Sequence, residues 1–268
     1  MFLCLLVVVG VYAALCGILW VKQDAMVFPG AGRGDRGLPV SATGSVVQWV
    51  GPAAQATRIA TVRPGAATAL RAVAIYFGGN GEDLFATAST AVCLAQHGAE
   101  VIAAEHPGYG ASRGTPGVAS LLAAAEVVAA HARARAKELQ LPLVVFGSSL
   151  GTFCAVHVAA AGGVERLVLR APPSTLAAVS QQHFPRWLPV GLLLWHRFDN
   201  LEPAPRVRCP VLVLHGDRDT IVPISHGRQV AAALPDARFV AVPGRGHNDL
   251  DLSVDGPVSA ALREFLPR

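Results

Sequence analysis

Charge is scarce in this chain of 268 residues: 15% of them are charged, and Lys22 and Lys137 are its lysines. The net charge of +4 comes from scattered arginines. No basic stripe follows from them, and a nucleic-acid partner is not expected. The five cysteines stand far apart in apolar surroundings such as Ala91-Val92-Cys93-Leu94 and Phe153-Cys154-Ala155. No two have the spacing of metal ligands, so no metal site is expected and the cysteines read as buried free thiols. What the chain has in quantity is apolar surface. A hydrophobic fraction of 52% supplies a core and excludes disorder. One α/β domain accommodates a chain of this length.

Phe2 to Val21 carries no charged side chain, close to the roughly 20 apolar residues that cross a bilayer. A cleavable signal peptide is the alternative, but the basic n-region is missing and the run exceeds an apolar h-region of about 7–15 residues. Leu15 before Cys16 also makes a poor lipoprotein cleavage box. Residues 1–22 are therefore expected to be an uncleaved anchor. Lys22, Arg33 and Arg36 follow it, which by the positive-inside tendency places the body in the cytoplasm. Residues 23–44 read as a link. Its glycine-rich stretch, Gly30 to Gly37, invites a dinucleotide reading, but no strand precedes it and no helical pattern follows. A flexible tether is the expectation, and no cofactor is implied.

From Ser45 onward a single domain, residues 45–268, is expected. Val46–Val50 and Arg58–Val62 read as an antiparallel pair. Val73–Phe77, Val101–Ala104, Leu143–Phe146, Leu167–Leu169, Val211–Leu214 and Phe239–Val242 read as further strands. Helical patterns lie at Leu84–His97, Ser120–Leu139, Thr152–Ala161, His226–Leu234 and Pro257–Phe265. Continuous apolar strands separated by helices imply a mostly parallel central sheet covered on both faces. Such sheets place their sites at the carboxyl ends of the strands.

At one of those ends stands Gly147-Ser148-Ser149-Leu150-Gly151, between an apolar β-branched run and a small-residue helical pattern. In that context the pentapeptide forms a sharp turn that lifts the Ser149 hydroxyl above the sheet as a nucleophile. Val211-Leu212-Val213-Leu214 leads to His215-Gly216-Asp217-Arg218-Asp219. Either acid suits holding an imidazole in one tautomer. Asp219 is favoured because Ile221-Val222-Pro223 fixes the loop beyond it, while Asp217 reads as a turn residue bonding its own backbone. His247 follows the last strand on a glycine-flanked loop, in the order Ser–Asp–His, and is the expected general base. Backbone N–H groups for a developing oxyanion are expected from Leu150 and from the loop Gly78-Gly79-Asn80-Gly81, with Asn80 first and Gly79 second.

Together with Tyr76-Phe77-Gly78-Gly79-Asn80 and His106-Pro107-Gly108-Tyr109-Gly110, these motifs resemble the α/β-hydrolase superfamily. Within it they are similar to small membrane-anchored serine hydrolases of bacteria, described as serine aminopeptidase-like, and to eukaryotic relatives that remove fatty acyl groups from proteins. The likeness runs over nearly the whole chain, including the anchor exit Gln23-Asp24-Ala25-Met26-Val27-Phe28-Pro29. It implies an α/β-hydrolase fold and a Ser149–His247–Asp219 triad acting on esters or thioesters, with amide hydrolysis or a non-catalytic membrane-bound module as the alternatives. One departure stands out: the group usually has His-Gly-Asn after the third strand, where this chain has Gly78. The missing side chain supports the oxyanion loop in that group.

Residues 172–206 read as a short helical lid, with apolar patches at Ser174–Phe184 and Trp187–Phe198. Its underside either packs on the domain or meets an acyl chain. Arg113 and Arg170, near strand ends, either meet an anionic group or belong to surface ion pairs. The expected substrate is a small molecule or an acyl chain.

Overall fold

The computed structural model describes residues 2–42, 44–53 and 56–268. Met1 of the expected anchor, Thr43 of the expected link, and Ala54 and Gln55 of the domain lie outside the described residues. Among the described residues eight strands form one sheet: β1 Val46–Val50, β2 Thr57–Val62, β3 Ala72–Phe77, β4 Ala99–Ala104, β5 Leu143–Ser148, β6 Arg166–Arg170, β7 Val211–Gly216 and β8 Ala237–Val242. Their order across the sheet is β1-β2-β4-β3-β5-β6-β7-β8. The pairs β1/β2 and β2/β4 are antiparallel and every other pair is parallel. This is the expected architecture, an open sheet whose early strands fold back as an antiparallel pair.

Two helical layers cover it. Successive strand residues point to opposite faces, so Val73, Ile75 and Phe77 join one core with α3 (Val118–Leu139), α4 (Gly151–Ala160) and α7 (Ile224–Ala233). Ala72, Ala74 and Tyr76 join the other, with α2 (Leu84–Ala95) and α8 (Ser259–Phe265). All six residues of β3, β4, β5 and β7 are buried, which explains why their sequences do not alternate apolar and polar; Glu100 of β4 is buried as the partner of Arg63 and Arg135. Residues 172–206, the expected lid, hold two short helices, α5 (Leu176–Gln182) and α6 (Val190–Leu193), the first capped by the Thr175 hydroxyl on Ala178 N–H at 3.0 Å.

The N-terminal helix α1 runs from Phe2 to Val27, so it extends past the expected boundary at residue 22. It is long and apolar enough to cross a membrane, and none of its most hydrophobic stretch is buried against the domain. Its last turns behave differently. Gln23 and Val27 are buried, and Phe28 is 2% exposed in the core beneath the lid; burying one such phenylalanine stabilises by about 1.5–3 kcal/mol.

The expected flexible tether is also replaced by a pinned segment. Gly30 N–H donates to Asn80 O (3.2 Å) and Gly32 N–H to Gly108 O (3.0 Å), with an antiparallel bridge between Ala31 and Tyr109. The Tyr109 ring lies so close over Gly30 that any Cβ there would collide with it. Arg36 then grips Asp83, the N-cap of α2, through two hydrogen bonds of 2.6 Å. Of the cysteines, Cys154 and Cys209 are buried, whereas Cys4 lies exposed on α1.

Candidate active site

Ser149 occupies the single residue between β5 and the N-cap of α4, with φ at 49°. A side chain in that left-handed region costs on the order of 1–2 kcal/mol, and the surroundings hold it there. Ser149 N–H donates to Arg170 O at 2.9 Å, and the Thr152 hydroxyl donates to Ser149 O at 2.6 Å. The flanking glycines are required by space. A Cβ on Gly147 would meet Ala155 Cβ at 2.7 Å and Gly151 O at 2.8 Å, and one on Gly151 would run into the main chain at Phe77.

The loop after β8 brings His247 Nε2 to 3.0 Å from Ser149 Oγ, and its Nδ1 to 2.7 Å from Asp219 Oδ2. A carboxylate can only accept, so Nδ1 carries the proton and Nε2 is left to accept from the Ser149 hydroxyl. The second Asp219 oxygen accepts from Ile221 N–H (2.9 Å) and Val222 N–H (2.8 Å). Burial alone would raise the Asp219 carboxyl; hydrogen bonds from His215 and His247, with the Val222 N–H, outweigh it and hold the group well below the usual carboxylate range. His215, absent from the residues singled out in sequence, is fully buried beside it. Its Nε2 faces two acceptors, Val222 O at 2.7 Å and Asp219 Oδ2 at 3.3 Å, so it is the protonated nitrogen.

Among the described residues the Asp217 side chain has no partner in its own turn. Its Oδ1 accepts from Gly244 N–H at 2.7 Å, tying the β7 loop to the β8 loop that carries His247. Arg218 N–H reaches Arg245 O at 2.9 Å in the same seam. The two acids thus divide the work: Asp219 faces the imidazole, and Asp217 fixes the loop that delivers it.

The loop after β3 lies across the cleft, where a Cβ on Gly79 would crowd Glu82 Oε1 at 3.3 Å and stand in ordinary contact, 3.5 Å, with Ser149 Cβ. Gly79 N–H is engaged by Glu82 Oε1 at 3.1 Å, so of the two expected loop donors Gly79 is occupied. Among the described residues the N–H groups of Asn80 and Leu150 have no acceptor within the protein. Asn80 itself is tied on three sides: its O accepts from the Tyr109 hydroxyl (2.7 Å) and from Gly30 N–H (3.2 Å), and its Nδ2 donates to Val27 O (3.1 Å).

Contacts around Gly78 brace this loop without the histidine that the resemblance would place there. The Gly78 carbonyl accepts from His106 Nε2 at 2.9 Å, and burial lowers the His106 pKa so that the ring stays neutral. Glu82 braces the next peptide and also takes the Tyr76 hydroxyl at 2.9 Å and Arg170 at 3.3 Å. Arg170 therefore belongs to a partly buried ion pair under the cleft, with its Nε on Ser148 Oγ at 2.8 Å. Arg113 lies elsewhere, beside a separate depression near α3. No side chain fits at position 78: a Cβ would meet Thr87 Cγ2 at 2.6 Å and Glu82 Cβ at 3.0 Å. Restoring the histidine by Gly78→His is expected to destabilise the protein by about 1–3 kcal/mol, as overpacking does. Thermal unfolding in detergent measures this, and an unchanged or higher midpoint would contradict the brace described here.

A cleft of about 420 Å³ opens over Ser149 and His247, walled by the lid residues Leu176 and Val179, by Ile221, and by Val27 of α1. Residues 68–200 match the family described as serine aminopeptidase, and residues 196–268 the family described as TAP-like protein. An uncharacterised protein of Mycobacterium tuberculosis is 38% identical over 190 residues, covering 70% of this chain and 67% of that one. The chain belongs to the α/β-hydrolase superfamily. Human alpha/beta hydrolase domain-containing protein 17B is 27% identical to this α/β-hydrolase over 190 residues, which span 70% of this chain and 64% of that one. The relative aho-3 of Caenorhabditis elegans is 32% identical over 65% of this chain and about half (52%) of its own. Among solved structures, the Pyrococcus furiosus esterase Pf2001 superposes with a TM-score of 0.69 at 16% identity, covering 88% of this chain and 96% of its own. Est1E from Butyrivibrio proteoclasticus gives 0.61 at 16% identity over 82% and 96%. At such identities the agreement is one of fold.

Proposed function

We propose that this α/β-hydrolase is a membrane-anchored serine hydrolase of carboxylic esters or thioesters, with α1 as its anchor. The observation that carries the reading is the unbroken hydrogen-bonded series Ser149 Oγ–His247–Asp219. In the first half-reaction Ser149 Oγ attacks the acyl carbonyl carbon while His247 Nε2 takes the hydroxyl proton. The carbonyl electrons move onto oxygen, where the free N–H groups of Leu150 and Asn80 receive the charge. The C–O or C–S bond then breaks, and His247 returns the proton to the departing alcohol or thiol. Water, deprotonated by His247, attacks the acyl-enzyme; the Ser149–acyl bond breaks, the proton returns to Ser149, and a carboxylic acid leaves. Asp219 holds the imidazole in the tautomer this requires and stabilises it while it is cationic.

The match to a family described as serine aminopeptidase favours a second reading, cleavage of an aminoacyl amide. Such a substrate brings an α-ammonium that needs a carboxylate partner. Glu82 is the carboxylate among the described cleft-lining residues, and both of its oxygens are taken by Tyr76, Gly79 N–H and Arg170. Neutral acyl groups suit the cleft better. Steady-state assays of a p-nitrophenyl acyl ester, an acyl thioester and an aminoacyl p-nitroanilide decide the matter. The expected result is kcat/KM at least tenfold higher for ester and thioester. A preference for the amide supports the peptidase reading and overturns this one.

A further inference from the structure

The C-terminal turns of α1, from Leu19, and the lid border a second, open cavity of about 330 Å³, within the range of roughly 300–1,000 Å³ that small ligands fill. Leu19 and Met26 of α1 line it together with Phe184, Val190, Leu193 and Leu194 of the lid. Five residues, Val27, Asn80, Leu176, Val179 and Ile221, line both this cavity and the Ser149 cleft, so the two spaces adjoin. The polar group of α1 at this level is withdrawn from the cavity's chemistry: Gln23 Oε1 accepts from Trp195 N–H at 2.8 Å and its Nε2 donates to Leu193 O at 3.3 Å. Asp24 takes His196 Nε2 at 2.6 Å. These bonds fasten helix to lid and leave an apolar slot between them.

The outer end of the slot has a depth. Tyr12 reaches the Trp187 carbonyl at 3.3 Å, and Trp20 packs edge-on against Trp195 with ring centres 4.9 Å apart. Both contacts fall within the uncharged stretch Phe2 to Val21, so an α1 that crosses a bilayer brings the lid edge against its hydrocarbon. That edge is apolar and uncovered, with Trp187 61% and Leu192 80% exposed. The neighbouring Arg186 is exposed too, and a long basic side chain can turn its charge toward the headgroups while its stem lies on apolar surface.

We propose that the slot between α1 and the lid is the acyl-chain site, filled from the bilayer, so that the substrate is a long acyl ester or thioester already lying in the leaflet. The anchor is then one wall of the binding site as well as a tether. This rests on the serine-hydrolase reading, and the test separates the two. The full chain is reconstituted into phosphatidylcholine vesicles as wild type, Leu193→Trp and Ser180→Trp, both positions lining the slot and not the cleft. Labelling by a small fluorophosphonate reports the nucleophile in each. The readout is the ratio of hydrolysis rates for C16 and C4 acyl chains, on an S-acyl peptide and on an acyl glyceride. The expected result is a C16/C4 ratio lowered about tenfold or more in both variants on whichever headgroup is cleaved, with labelling retained. A ratio unchanged, or loss of both chain lengths together, overturns the proposal. C16 substrate in the same vesicle should be cleaved at least tenfold faster than C16 substrate supplied in separate vesicles; equal rates also overturn it. Should the wild type fail to label, the hydrolase reading falls by itself, and binding of cis-parinaric acid then decides the slot. Binding weakened by Leu193→Trp supports it, and equal binding sinks it.

Discussion

Ser149→Ala is expected to abolish labelling by a fluorophosphonate and to lower kcat on acyl esters by about 10⁴–10⁶, the range set by removing a nucleophile that works as part of a unit. The substitution is clean for a local reason. Serine and alanine both carry a Cβ, so alanine meets the same strain at a φ of 49°. The bonds that hold the turn, Ser149 N–H to Arg170 O and Thr152 Oγ1 to Ser149 O, use main-chain atoms that alanine keeps. The unfolding midpoint should therefore stay within a few degrees of wild type while activity disappears. Residual hydrolysis above about 1% of wild type, in protein shown to be folded, would mean that another group supplies the nucleophile.

The strands were readable because a parallel sheet buried on both faces leaves apolar runs that loops and helices interrupt, as β3 and the first four residues of β5 and β7 show. The three residues of the hydrogen-bonded series were readable for a related reason, since each ends or follows such a run. What escaped lies in contacts between distant segments. Gln23 and Asp24 look like the polar exit of an anchor, yet their partners Trp195 and His196 stand more than 170 positions away, and α1 continues through them to Val27. Gly30 to Gly37 has the composition of a tether, but a bare Cα also admits a ring, and Tyr109 occupies that space. Gly78 looked like a lost support because the replacement support, Glu82 with His106, is made of residues common in loops. No spacing rule joins them to the main-chain atoms of Gly78 and Gly79.

Asp219→Asn carries the second large expected effect, a drop in kcat of about 10⁴ with the fold intact. The amide is isosteric and its oxygen can still accept from Ile221 and Val222 N–H, as Asp219 Oδ1 does. Its nitrogen then faces His247 Nδ1 and donates to it. The ring proton moves to Nε2, which turns a donor toward Ser149 and can no longer take its proton. Asp217→Asn is the matched control, because an amide oxygen can keep the bond to Gly244 N–H; a loss of no more than about threefold is expected there. Stability separates the two carboxylates further. The folded-state pKa of Asp219 is depressed, so its ionised form stabilises the native protein above the unfolded value of about 3.9. That contribution is lost as pH falls through the folded value. Wild type should accordingly exceed Asp219→Asn in unfolding midpoint by a constant margin above about pH 5, and the margin should shrink below about pH 4. A margin that grows on acidification would place the proton, and the charge that orients His247, on some group other than Asp219.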